Sequence, residues 1–496
     1  MNNLRKNPHI YEINLITWLD ELSRREQRTI SLRNIPRSEW TNFRKVGIDL
    51  IWLMGMWQRS PYSREKARGE PALVEACSNI LENFQTDDIV GSPYAVYDYI
   101  PDSRFGSFAD LFALKKVMEE EGLYLILDFV PNHMACDHPW LGDHPERFIQ
   151  GELNREGGCR EGFFLFTNPD NKRCVAHGRD PNFPAWNDTA QINYGSDDTM
   201  EAMAGILSRL AAYCHGFRCD MAMLLLKDVF GSTWGSHLKD ESSIKEFWHF
   251  SIGRLKRAER SNLLLAEVYW GMETPLFNFG FDYAYDKHLY DLMLRGDIEG
   301  VKTCLSTPIV HQEKMIRFLE NHDEQRALEA FGSERIKSAM VIHATLPGMR
   351  LWHHGQIDGY RVKVPVQLAR GPCEISDNDL KSFATNLMIE VNHPVFHEGS
   401  FEICETHGWP DNSSHVHLLA WCWRRDDERR LIVINFSSTS AQGVVTLPST
   451  WLPIDKQFIC RDSLNKKCFY RSSVEVQKNG LFVALEMGGF HFFKIK

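Results

Sequence analysis

Long apolar runs are missing from this 496-residue chain. No stretch of eighteen apolar residues occurs, and the opening MNNLRKNPHIYEINLITWLDE lacks an uninterrupted apolar core of the secretory kind. Neither a membrane partner nor a leader is expected, and the chain reads as cytoplasmic. Cysteine pairs at metal or redox spacing are missing too: the twelve cysteines are scattered, without a CxxC or a zinc-type arrangement, which suits reduced thiols better than a dense disulfide framework. Positive charge is not in excess. Lys and Arg number 56 against 66 Asp and Glu, a formal charge of −10 that argues against a nucleic-acid partner and leaves neutral substrates open. There is no internal repeat, low-complexity tract or long Gly/Ser linker, and KKVMEEEG reads as a solvated helix face. With 43% hydrophobic and 25% charged residues, the chain can build a substantial core and more than one domain, while its oligomeric state stays unknown.

What is present is a series of apolar, strand-like runs: IYEINLITWL, DLIWLMGMW, LYLILDFV, GFRCDM, LLLAEVYW, FGFDYAYD, MIRFLENHD and GMRLWHHG, separated by longer segments of helical character. Eight strands with crossovers predict an α/β fold, a (β/α)8 TIM barrel. Four segments set polar groups directly after an apolar run: DFVPNH ending at His133, GFRCD ending at Asp220, LLLAEVYW carrying Glu267 and FLENHD ending at Asp323. Strand carboxyl ends share one rim in a parallel barrel, so residues about 90, 50 and 55 positions apart can converge there. Acetal cleavage needs one carboxyl that donates a proton and another that attacks or stabilises positive charge. Asp220, Glu267 and Asp323 suit those tasks. A single carboxylate is ordinarily a cap or an ion-pair partner, and it is the linkage of four strand-end segments that outweighs this. Arg218, two residues before Asp220, shares its strand face and can keep it ionised. His133 and His322 sit beside these strand ends, where imidazole N–H groups can bind hydroxyls.

In order and approximate spacing these segments resemble the strand motifs of the α-amylase superfamily, glycoside hydrolase family 13, and the resemblance spans most of the chain. It implies a carbohydrate substrate, with Asp220 as nucleophile, Glu267 as general acid/base and Asp323 holding the distorted sugar. It also implies that His133 and His322 lie at the scissile sugar and that Asp128 anchors the site structurally. GSPYAVYDYIPDSRFGSFADL, Gly91 to Leu111, resembles a further family segment with Tyr94 as the stacking partner of a sugar face and Asp98 as a brace. PAWNDTAQINY similarly offers Trp186 and Asn193 for the site rim or for packing. Cys219, inside GFRCD, reads as packing. Asn132 corresponds to a calcium ligand in many members, but calcium takes six to eight oxygens and the others are not identifiable. No metal or other cofactor is assigned, and structural calcium stays open.

The expected organisation is a first barrel part over 1–133, an inserted domain B over 134–190, a second barrel part over 191–392 and a C-terminal antiparallel β domain over 393–496. The insertion follows from a stretch rich in Asp, Pro, Gly and aromatics that is too long for an ordinary loop; the last domain follows from alternating runs such as RLIVINFSS and GFHFFKIK. Starch-degrading members often carry Lys and His shortly after the nucleophile, where this chain has Met221, Ala222, Met223 and Leu224. LWHHGQIDGYR likewise stands in place of the loop many members use. The expectation is a retaining α-glycosidase for short α-glucosides or oligosaccharides. The alternatives are a transglycosylase or phosphorylase-like transferase using the same carboxylates, and an inactive carbohydrate-binding homologue, which would be expected to have lost one of the three.

Overall fold

The protein is described by a computed structural model covering residues 4–169, 171–258, 261–453 and 456–496. Residues 1–3, which open the expected first barrel part, lie outside the described residues, as do 170, 259, 260, 454 and 455. Eight parallel strands close into a barrel: β1 (His9–Asn14), β2 (Leu50–Met54), β3 (Tyr124–Phe129), β4 (Gly216–Cys219), β5 (Leu263–Ala266), β6 (Tyr283–Tyr285), β7 (Met315–Arg317) and β8 (Met349–His353). Each pairs with its neighbours in sequence, and β8 returns to β1 with His9 opposite Arg350. Their apolar runs are continuous rather than alternating because strands of such a barrel are buried on both faces; in β2 all five residues are buried.

All eight runs contain a barrel strand, but two of them divide. After Asn14 the first run leaves the sheet and becomes a helix, Leu15–Glu26, burying Leu15, Ile16, Trp18, Leu19 and Leu22. That spacing follows a helical stripe rather than a strand face. The second run breaks at Gly55, whose φ of 78° favours glycine, and resumes as Trp57–Arg59, a strand paired outside the barrel with Val96–Pro101. Register then fixes levels inside the barrel. Glu12 stands opposite Trp52 on β2 and His353 on β8, and Arg218 opposite Asp128 on β3 and Leu265 on β5.

Between β3 and β4, His133–Ala135 pairs antiparallel with Thr189–Gln191, and the excursion between them carries a three-stranded sheet of Gln150–Gly151, Asn171–Ala176 and Phe163–Asn168. One pair departs from the expectation of reduced thiols, while the ten other cysteines are free. Cys159 and Cys174 form a disulfide. No CxxC signalled it, because the two are fifteen residues apart and meet only when the hairpin folds back on the preceding loop. Such a bond persists in oxidising surroundings, whereas a cytoplasmic compartment would reduce it.

After β8 the chain forms β9 (Ser400–Ile403), β10 (Leu418–Arg425), β11 (Glu428–Asn435), β12 (Gln457–Asp462), β13 (Lys467–Ser472) and β14 (Phe490–Ile495), one sheet in the order β9-β10-β11-β14-β12-β13 with antiparallel neighbours. It docks on the barrel through buried Trp421 and Trp423, whose indole N–H groups donate to Thr345 at 3.1 and 2.7 Å. Among the described residues, no helix is long and apolar enough to cross a membrane.

Candidate active site

Arg218 is the hub of the rim. Its guanidinium is 1% exposed, donates to Asp220 Oδ1 at 2.6 Å, and is ion-paired with Glu267 Oε1 at 2.8 Å. Its Nε donates to the Tyr285 hydroxyl at 3.4 Å, and its plane lies 5.2 Å from the ring centres of both Trp52 and Tyr94. Burial works against the positive charge, but Glu267, Tyr94, Tyr285 and Asp220 around it hold its pKa well above the ordinary arginine value. The two carboxylates respond in the opposite sense. Burial raises Asp220 above the usual aspartate range, with Arg218 opposing. Burial pushes Glu267 up to about 7, again against Arg218, with Asp220 and Asp323 adding to the rise.

Both Glu267 oxygens are occupied. Oε1 also accepts from the Tyr269 hydroxyl at 2.9 Å, and Oε2 accepts from the Met221 backbone N–H at 2.7 Å. That N–H is aimed by an unusual backbone: Met221 has φ 44° and ψ 45°, a left-handed conformation costing about 1–2 kcal/mol in a side-chain-bearing residue. Strain of this kind is retained where it positions functional groups. Met221 to Leu226 are all buried, so the apolar residues after Asp220 pack beneath the rim.

Opposite this pair, Asp323 has a half-exposed side chain, 52%, and its Oδ2 lies 3.1 Å from His322 Nε2. His322 beside it holds the carboxyl well below the usual range, with Arg218 and Lys363 contributing. Lys363, from the segment after β8, donates to the Asp323 carbonyl. His322 stacks on Tyr94 with centroids 5.3 Å apart, hydrogen-bonds its hydroxyl at 2.8 Å, and meets Glu12 Oε1 through Nδ1 at 2.5 Å.

The remaining expected residues fall into supporting places. Asp128 accepts from Trp52 Nε1 at 3.1 Å and from Gly55 N at 2.8 Å, while its carbonyl accepts from Trp57 Nε1, so it ties the loop after β2 to the rim; burial lifts its carboxyl to about 6. His133 is buried, hydrogen-bonded to the Tyr94 backbone and packed 5.0 Å from the Trp186 ring, and burial lowers it to about 4. Asn193 holds a turn, accepting from Gly195 N and donating to the Glu146 carbonyl. Asp98 stands opposite Gln58 in the strand pair below the Tyr94 loop, and Cys219 is fully buried packing. Glu12, Trp52, Tyr269 and Tyr285 were not singled out from sequence. Glu12 did carry a signal, a charge inside the apolar first strand; the other three are aromatics in apolar runs, where nothing distinguishes a site wall from a core residue.

Calcium finds no cage at Asn132. Gln191 Nε2 donates to the Asn132 carbonyl at 3.0 Å, to its Oδ1 at 3.2 Å and to the Ile192 carbonyl at 3.1 Å. These oxygens converge on an amide N–H, and a cation cannot share that position with a donor; the residues present do not fit the ion.

A closed parallel barrel whose carboxyl-end rim gathers three carboxylates around one arginine defines a (β/α)8 protein with a rim site. Residues 43–458 match the family described as "Alpha amylase, catalytic domain", and the chain belongs to the α-amylase family. It is similar to alpha-amylase 3 of Dictyoglomus thermophilum, 24% identical over 306 residues covering 58% of this chain and 56% of that protein. It is similar also to maltase A2 of Drosophila melanogaster, 25% identical over 339 residues covering 57% of this chain and 58% of that one. The chain thus spans about half the length of the curated relatives it matches. Among solved structures, a noncanonic maltogenic alpha-amylase, AmyB, from Thermotoga neapolitana superposes with a TM-score of 0.68 at 18% identity, covering 100% of this chain and 99% of that one. At that identity the likeness shows the fold alone.

Proposed function

We propose that the protein is a retaining α-glycosidase acting on short α-glucosides or α-gluco-oligosaccharides. The observation that carries this is the single guanidinium of Arg218 touching both Asp220 and Glu267. One fork spanning two carboxylates supports the close spacing of about 5–5.5 Å used by retaining enzymes over the wider gap that inversion needs for a water. Arg218 favours the ionised form of Asp220, which attacks the anomeric carbon as the glycosidic bond breaks. Glu267, lifted to about 7 by burial, holds its proton near neutrality and delivers it to the departing oxygen as substrate displaces the Tyr269 hydroxyl. Glu267, now a carboxylate, then takes a proton from water, which releases the sugar from Asp220. His322 and Asp323 bind the sugar's hydroxyls as its ring flattens, with Tyr94 against its apolar face.

Beside Tyr269 lies a cavity of about 830 Å³ lined by Phe183, Trp270, Lys287, His288 and Asp291 among others. Its size is in the range of small-molecule sites, and it supports an oligosaccharide leaving group. The same cavity favours a second reading, transfer of the glycosyl group to a sugar acceptor seated there. The name of one relative by sequence, maltase A2, accords with an α-glucosidic substrate. The test is incubation with maltose, longer maltooligosaccharides and sucrose, with and without phosphate, beside the Asp220→Asn variant. Release of glucose by the wild type, lost by orders of magnitude in a folded Asp220→Asn protein, is expected. New oligosaccharides would favour the transfer reading, and full activity in the variant would overturn both.

A further inference from the structure

The rim residues account for His322 on one side only. Its Nε2 faces Asp323 and the Tyr94 hydroxyl, both in the site, while its Nδ1 points down the barrel to Glu12. Glu12 is fully buried in the middle of β1, between Tyr11 and Ile13, where an apolar residue would complete the strand. Its Oε1 lies 2.5 Å from Nδ1, the short separation of a charge-assisted hydrogen bond. Its Oε2 accepts from no group among the described residues. A carboxylate kept for packing would be matched on both oxygens, since a buried acceptor left unpaired costs free energy without return. All of the pairing of Glu12 is spent on one imidazole.

We propose that Glu12 is a positioning residue that holds His322 as an oriented imidazolium, so that Glu12, His322 and Asp323 form a chain of alternating charge under the sugar-binding rim. This deepens the glycosidase reading and rests on it for its catalytic consequence, though not for the chain itself. The geometry leaves the ring little freedom. Trp52 meets it edge-on at 5.6 Å, Tyr94 stacks on it at 5.3 Å, and both nitrogens have acceptors, which requires a proton on each. The charged and titratable groups around it come from several elements: Glu12 from β1, Asp128 from β3, Tyr94 from its loop, Asp323 from its own segment, and Arg218 of β4, 5.2 Å from the Tyr94 ring centre, with His353 of β8 bearing on Glu12. Burial opposes charge on the ring, but Asp323 and Glu12 outweigh it and lift His322 to about 10. The imidazolium in turn keeps Asp323 ionised. Neutralising Glu12 therefore acts on the rim through His322 without removing any group that touches substrate.

The experiment uses full-length protein labelled with 13C at the histidine rings, with the His322 resonance assigned from a His322→Gln variant. In the wild type His322 is expected to remain imidazolium at about pH 8; in Glu12→Gln, which keeps volume and loses charge, it is expected to be neutral there. On a 4-nitrophenyl α-glucoside, kcat of Glu12→Gln is expected to fall by roughly tenfold or more with KM moved less than about twofold, since the loss falls on transition-state binding. A wild-type His322 that titrates at the ordinary histidine value overturns the proposal, as does a folded Glu12→Gln whose His322 titrates like the wild type. Should Glu12→Gln fail to fold, the wild-type titration and that of Glu12→Asp, which retains the charge and is expected to keep the imidazolium, decide the matter. The NMR readout needs no substrate, so a charged His322 in a protein without glycosidase activity would sink the proposed function and leave the charge chain standing.

Discussion

Exchanging Arg218 for methionine leaves a side chain of similar reach and takes away the guanidinium that touches both Asp220 and Glu267. Removing one partner of a buried ion pair typically costs about 3–5 kcal/mol, because the remaining charge stays uncompensated. Two carboxylates lose their partner here, but Glu267 already sits at about 7 and relieves its share by taking a proton. The penalty therefore concentrates on Asp220, where Arg218 is the main influence opposing burial and Asp128 and Asp323 add to the rise. The sign follows from linkage: a carboxyl raised further in the folded than in the unfolded state costs no stability below its unfolded value near 4, and costs progressively more as pH rises toward its folded value. Arg218→Met is accordingly expected to lose about 3–5 kcal/mol near pH 8 and much less near pH 5, measured by urea unfolding. The acid limb of kcat/KM should move up by roughly one unit or more, since Asp220 must be ionised to attack. Adding Asp220→Asn should recover part of the stability by removing the orphaned charge. A loss below about 1 kcal/mol near pH 8, or an acid limb that stays in place, would refute the assignment of Arg218 as the group that keeps Asp220 charged.

Glu267→Ala should cripple turnover of poor leaving groups far more than of activated aryl glycosides, with external azide partly restoring the second step; uniform loss without rescue would exclude Glu267 as acid/base. In the wild type, activity should decline as pH rises through about 7, where Glu267 gives up its proton, and a flat profile to pH 9 would speak against that role. The newly released sugar should appear first as the α anomer in early NMR spectra, and a β product would reject double displacement. Because Gln191 fills the space beside Asn132, chelation should leave the thermal midpoint unchanged, whereas Gln191→Ala should cost about 1–3 kcal/mol from unpaired buried carbonyls; a midpoint that falls on chelation would restore a calcium site.

The pieces of the barrel could be read from sequence because each strand is buried on both faces and so writes an uninterrupted apolar run, and because polar residues at the end of such a run have one place to go. That is why Asp220, Glu267, Asp323 and His322 were visible at their strand ends. The ends of the runs were not readable. LITWL is as apolar as the strand before it, and only helical packing of Trp18 and Leu19 on the barrel ends β1 at Asn14. Pairings across long separations left no local trace either. Cys159 and Cys174 meet through a hairpin, and Gln191 reaches Asn132 across 59 residues.

By itself the sequence determined which groups stand on the rim, since strand periodicity and the order of the runs settle which side chains leave the sheet at its carboxyl end. Only the tertiary structure decided their electrical state. One arginine between two carboxylates, one glutamate below a histidine and one amide among three carbonyls are relations of distance and burial, and energies that fall with separation and rise as water is excluded are set by the closed barrel, not by neighbours along the chain.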